Sequence, residues 1–293
     1  MLSKLRYARV LRSSAACGII PAQDVARLSA SLGSSAATLI KGGTLGAAFL
    51  VLIDGRQRVA KTNAFTGGEP ALRKEGALLS ALYGERLHVQ TVELGARFWL
   101  VTDALSHPPC PPTGELLRAL IASWSRRLND PKVTAAIPDH DDFATLLREG
   151  QAALSGLISG AHIHGKAQGW ASACLDLLED EQHRFVAVPC HGDLGARNLM
   201  IDSGGLVAID WEDALWGIEG YDYLYWLTFM AQRPHYSPTM FGHTPWKKEV
   251  EIAVLILIIV LKSWLSVLFE THGSSSLDFN RRVLEIVAFA SDH

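Results

Sequence analysis

His191-Gly192-Asp193-Leu194-Gly195-Ala196-Arg197-Asn198, with Ile209-Asp210-Trp211-Glu212 a short way downstream, is the stretch on which the reading of this chain turns. It holds two carboxylates and an amide, Asn198 five residues after Asp193 and Asp210 seventeen after it. Transfer of a phosphoryl group from a nucleoside triphosphate asks little covalent chemistry of a protein. It needs one carboxylate near the attacking hydroxyl and oxygen ligands for the cations that bridge the phosphates. Magnesium prefers hard oxygen donors and keeps several waters, so one Asp and one Asn beside a triphosphate suffice. Residues 199–201 and 207–209 read as a small hairpin around Asp202-Ser203-Gly204-Gly205. A loop followed by a hairpin brings Asp193, Asn198 and Asp210 to one end of the structure, facing a common cavity.

Working outward, the upstream pattern is that of a small mixed lobe. Residues 38–41 are strand-like, Gly42-Gly43-Thr44-Leu45-Gly46 is a glycine-rich turn, and 47–53 is a second strand. Asp54-Gly55 signals a hairpin leading to a third strand at 57–61. A helix from about 69 to 83 carries Leu72, Leu78, Leu79 and Leu82, and strands around 89–94 and 98–102 follow. Three strands, a helix and two strands make an α+β lobe. Lys61 ends the strand Val59-Ala60-Lys61, and Glu75 lies fourteen residues on, in the helix. A buried lysine needs a counter-charge, and in kinases such a pair sets the lysine on the α- and β-phosphates. The plainer alternative is that Glu75 is an exposed helix charge with a local partner. Backbone amides at Gly42, Gly43 and Thr44 can approach phosphates, because glycine admits the dihedrals required, although any tight hairpin also uses glycine.

Together these segments resemble the aminoglycoside phosphotransferase and choline kinase-like superfamily, whose catalytic loop reads H-G-D-x-x-x-x-N and whose metal segment reads I-D-W/F-E. The resemblance runs from about Thr38 to at least Trp226. It implies an α+β, bilobal protein-kinase-like fold: a small antiparallel-sheet N-lobe with one helix, a mostly helical C-lobe, and ATP between them. It implies Asp193 as the catalytic base, Asn198 and Asp210 as ligands of Mg2+, and His191 as a brace that hydrogen-bonds the metal loop. ATP would be held by Lys61, Glu75, Gly42, Gly43 and Thr44, with backbone groups around Thr102 and Ala104 meeting adenine. Gly220-Tyr221-Asp222-Tyr223-Leu224 resembles the family's Y-D-L-A segment, which makes Asp222 a cap or brace of the catalytic loop. Two departures stand out. Gly195-Ala196-Arg197 replaces the frequent His-Pro-Gly, and Trp216-Gly217-Ile218-Glu219-Gly220 replaces Gly-Asp-Pro, so the local path can differ there. Arg197 either touches a phosphate or anionic substrate, or projects outward.

Composition narrows the classes. The chain has 293 residues, 48% hydrophobic and 19% charged, enough for two lobes. The boundaries expected are a helical extension over 1–37 (its helix from Pro21 to about Leu32), an N-lobe over 38–104 and a C-lobe over 105–293. Residues 1–104 carry a net charge of +6 and the remainder −9, which suits a phosphate-bearing ligand in front and metal ions or a cationic substrate behind, or merely two solvated faces. Cys17, Cys110, Cys174 and Cys190 are scattered, so neither a disulfide framework nor a structural zinc site is expected and a reducing cytoplasm is the default. The basic N-terminus lacks an apolar stretch of signal-peptide length. The apolar run at 252–261 meets Lys262 well short of the roughly 18 residues of a membrane span, so it reads as a buried helix, with no stable membrane insertion. No nucleic-acid partner is indicated.

The expected reaction is ATP- and magnesium-dependent transfer of the γ-phosphate to a hydroxyl of a small molecule: an aminoglycoside, a sugar, or an amino-alcohol of the choline or ethanolamine type. Arg197, Glu212, Asp213 and Trp216 are candidate substrate contacts, the acidic ones being equally readable as exposed loop charges. Rings such as Tyr223, Tyr225 and Trp226 could stack on substrate, although helical spacing makes most of Tyr223, Trp226, Leu227 and Met230 core residues instead. His162 and His164 tempt a metal reading, but no further ligand follows them at helical spacing. A nucleotide-binding pseudokinase or scaffold is the alternative from another class. A protein kinase is weaker, because H-G-D replaces H-R-D and neither D-F-G nor A-P-E is present.

Overall fold

A computed structural model describes residues 1–13, 20–40, 46–63, 68–228, 241–269 and 278–291. In chain order its first elements are α1 (Leu2–Ser13), α2 (Ala22–Leu32), β1 (Ala37–Ile40), β2 (Gly46–Ile53), β3 (Arg56–Asn63), α3 (Glu69–Leu87), β4 (Gln90–Leu94) and β5 (Arg97–Asp103). The strands form one antiparallel sheet in the order β1-β2-β3-β5-β4. Side chains of a strand alternate between faces, and β5 uses both faces. Trp99 and Val101 join Phe49, Val51, Ala60 and Leu28 of α2 in one cluster, while Phe98 and Leu100 belong with Leu72, Leu78, Leu79 and Leu82 of α3 in another. The sheet is therefore sandwiched between α2 and α3.

The helical part contains α4 (Gly114–Arg127), α5 (Pro131–Thr134), α6 (Phe143–Ser159), α7 (Gly165–Glu181), α8 (Tyr221–Leu227), α9 (Lys248–Leu268) and α10 (Phe279–Ser291). Between α7 and α8 lie two small antiparallel pairs: β6 (Ala187–Cys190) with β9 (Leu215–Ile218), and β7 (Leu199–Asp202) with β8 (Gly205–Ala208). The segment before Gly220, where the family pattern breaks, is thus a strand paired with β6. Helix α9 is long and apolar enough to cross a membrane, but 67% of that window is buried, against α6, α7, α8 and α10. Its unbroken apolar run is explained by packing on all sides.

Helix α3 fastens the two parts. Adjacent helix positions point in different directions, so Lys74 and Glu75 leave α3 toward different partners. Lys74, itself buried, bonds Asp141 at 3.0 Å and the Ala214 carbonyl at 2.8 Å. Glu75 accepts the backbone N–H of Asp210 at 3.1 Å. The extension over 1–37 is not one unit: α2 covers the sheet, while α1 packs on α9 and on the turn at 211–213.

Candidate active site

The loop after β6 is held from below. Asp222, in the first turn of α8, accepts the N–H of His191 at 2.8 Å and of Gly192 at 3.0 Å. The N-cap of α8 is Gly220, so Asp222 acts on the loop and not as a cap. Gly192 has φ +83°, and a Cβ there would overlap the Asp213 carbonyl oxygen. Only glycine lets the loop lie so close to the 211–213 turn. Gly192→Ala is expected to cost about 3 kcal/mol or more and to lower the melting temperature by roughly 5–10 °C, measured by calorimetry; an unshifted transition would contradict this packing.

His191 links that loop to the next segment. Its Nε2 lies 2.8 Å from the Ile209 carbonyl, and its Nδ1 accepts the Asp193 N–H at 3.3 Å. Burial pushes the imidazole down to about 4, so it is neutral at pH 7. The neutral tautomer with its proton on Nε2 satisfies both bonds. The ring packs against Trp211, tilted by 50° with centroids 4.5 Å apart.

Asn198 closes the loop by donating Nδ2–H to the Asp193 carbonyl at 2.7 Å, a bond that engages its nitrogen and not its Oδ1. Ile209 N–H meets the Asn198 carbonyl at 2.9 Å, extending the β7–β8 ladder and setting Asn198 beside Asp210. Asp210 adopts a left-handed backbone, φ 64°, which Asp tolerates better than most residues. Lys61 reaches across from β3: its ammonium is 2.7 Å from Glu75, 2.5 Å from Asp210 and 3.4 Å from Glu212. Burial opposes this charge, yet Asp210, Glu212 and Glu75 hold the lysine well above its ordinary range. Glu75 is 2% exposed, which rules out the solvated-helix alternative.

Three carboxylates around one ammonium leave an excess of negative charge, and the oxygens of Asp210 and Asn198 are hard donors. The donor set fits magnesium shared with phosphate oxygens. Among the described residues no three His, Cys, Asp or Glu side chains form a metal cage of their own. His162 packs against Phe279, and the His164 amide donates to Asn280 Oδ1 at 2.9 Å.

The opposite side of Asp193 holds Tyr225, which the sequence offered only as a substrate-stacking ring, and Lys4, to which the sequence assigned no role in the site. Tyr225 donates its hydroxyl to Asp193 Oδ1, and Lys4 of α1 places its ammonium on Asp193 Oδ2. Lys262 lies 4.0 Å from the centre of the Tyr225 ring. Asp213 is 1% exposed and Glu212 is buried, so neither is a solvated loop charge. Arg197 is exposed. Trp216 is engaged elsewhere, its amide with the Asp141 carbonyl at 2.7 Å and its indole with that of Ile137 at 3.4 Å. At the expected adenine edge, Thr102 pairs with Val59 and the Ala104 N–H is spent on Gln57 at 3.1 Å. That amide is therefore not free to meet adenine. Gly42, Gly43 and Thr44 lie outside the described residues.

A lysine–glutamate pair on a sheet and helix, facing a loop with Asp193, Asn198 and Asp210, is the frame of a kinase-like phosphotransferase. Residues 36–242 match the sequence profile of the phosphotransferase enzyme family. The chain belongs to that family. A comparison with curated protein sequences returns no match. Among solved structures it is similar to a thermostable variant of aminoglycoside phosphotransferase APH(4)-Ia in ternary complex with ADP and hygromycin B, at 15% identity and a TM-score of 0.59, over 91% of this chain and 98% of that one. It is also similar to spectinomycin phosphotransferase APH(9)-Ia in complex with ADP and spectinomycin (14%, TM-score 0.58, 93% and 98%). A third is a microcompartment-associated aminopropanol kinase (14%, TM-score 0.52, 91% and 95%). At these identities the likeness is one of fold.

Proposed function

We propose that the protein transfers the γ-phosphate of ATP, in the presence of magnesium, to a hydroxyl of a small amine-bearing alcohol such as an amino-sugar or amino-alcohol. The observation that carries this reading is the junction at Lys61, where one ammonium joins Glu75 of α3 to Asp210 beside the catalytic loop. With nucleotide bound, Lys61 keeps Glu75 and turns from Asp210 to the α- and β-phosphates. Asp210 and the Asn198 Oδ1 would hold magnesium, which supplies charge neutralisation on the phosphates. Asp193 accepts the acceptor's hydroxyl proton as the new P–O bond forms and the bond from the γ-phosphorus to the β–γ bridging oxygen breaks, releasing ADP. Tyr225, by donating to Oδ1, turns Oδ2 toward the acceptor.

The acidic set Asp193, Glu212 and Asp213 favours a cationic acceptor, because a protonated amine there meets buried carboxylates. The test is magnesium-dependent ADP release across aminoglycosides, aminocyclitols, choline, ethanolamine, aminopropanol and neutral sugars, with the phosphorylated product identified by mass spectrometry. Stoichiometric product from an amine-bearing alcohol is expected. Magnesium-ATP binding without transfer to any of them would instead favour the scaffold reading.

A further inference from the structure

The acceptor side of Asp193 is filled by the chain's own helix α1. Lys4 bonds Asp193 Oδ2 and lies 3.6 Å from Asp213 Oδ2. Ser3 fixes it there: its N–H donates to Asp213 Oδ1 at 2.9 Å and its hydroxyl to the Glu212 carbonyl at 2.9 Å. Arg6 reaches Asp141 at 2.8 Å. Along the same helix, Leu2, Leu5 and Ala8 are buried in the same core as α9. The segment Leu2–Ser13 carries Lys4, Arg6, Arg9 and Arg12 and no acidic residue, opposite in sign to the half of the chain it docks on.

An acceptor hydroxyl must come within about 2.6–3.2 Å of its base, and the Lys4 ammonium already holds that position on Oδ2. We propose that α1 is an intramolecular occupant of the acceptor site, with Lys4 in the place of a substrate ammonium, and that transfer requires α1 to withdraw. The proposal rests on Asp193 being the base. An incoming amine takes over the Asp193 carboxylate that Lys4 gives up, while withdrawal of α1 also takes the Met1 ammonium from Asp213 and Arg6 from Asp141, which keeps Lys74. A counter-ion serving stability alone has no need to sit on the base, whereas an occupant that must exclude a cationic acceptor does.

The test uses the full chain and two readouts, hydrogen–deuterium exchange along the backbone and magnesium-ATP hydrolysis without acceptor. Lys4→Glu sets a carboxylate against Asp193 and Asp213, and Lys4→Ala only removes the ammonium. Exchange within α1 is expected to quicken roughly a hundredfold in Lys4→Glu and by less in Lys4→Ala, with the amides of α3 and α9 unchanged. Hydrolysis is expected to rise about tenfold as water reaches the base. Should Lys4→Glu also loosen α9, the milder Lys4→Ala decides. Unchanged α1 protection overturns the proposal, as does a released α1 with hydrolysis equal to or below that of the wild type. Failure of the wild-type protein to bind magnesium-ATP would instead defeat the reading of the site, and the exchange of α1 reports its docking without any turnover.

Discussion

Asp193→Asn is expected to lower the rate of phosphoryl transfer by about 10²–10⁴-fold while leaving the KM for ATP within a small factor of the wild type. The substitution keeps the shape of the side chain and an oxygen for the Tyr225 hydroxyl, but it removes the carboxylate proposed to take the proton. Because Asn198 binds the backbone carbonyl of Asp193 and not its side chain, the metal side of the loop keeps its support. Steady-state kinetics with a saturating acceptor read the split directly. A kcat close to that of the wild type would remove Asp193 from the chemistry.

Asp210→Asn is expected to act on the nucleotide side with comparable force. Asn tolerates the left-handed backbone at this position, so the change is one of charge. Altering groups that merely support a metal ligand costs 10–100-fold, and loss of a ligand's charge should cost at least about a hundredfold in turnover. The fold should not suffer in parallel. Glu75 and Glu212 still face Lys61, and removing one of three crowded carboxylates relieves like-charge repulsion. Without nucleotide the melting temperature should hold or rise, whereas the stabilisation that magnesium-ATP confers on the wild type by binding the folded state should largely vanish. Full retention of that ligand-induced shift would contradict the assignment of Asp210 as a metal ligand.

The site divides into parts that were legible in the chain and parts that were not. Asp193, Asn198 and Asp210 were legible because a loop and a hairpin act over short spans, and the β7–β8 register leaves little freedom in where their ends meet. Lys61 and Glu75 were legible for a similar reason: a strand followed by a helix packed on the sheet brings residues fourteen apart together. The apolar run in α9 predicts its own burial. Tyr225 illustrates the limit. The sequence offered it as a ring that could stack on substrate, but it is buried, and nothing local says that its hydroxyl ends on Asp193. Lys74 is similar, a helix lysine whose partner Asp141 lies 67 residues away.

The sequence by itself therefore determined the class of chemistry, through the spacing of Asp193, Asn198 and Asp210 and the lysine–glutamate pair that answers them. Only the tertiary structure decided what stands against Asp193. Lys4 and Asp193 are 189 residues apart, and a basic N-terminal segment has the same composition whether it is solvated or docked. Short-range backbone geometry is written in residue order, but the partner of a long charged side chain is chosen by the packing of elements distant in the chain, and here that packing laid α1 against Asp193 and Asp213.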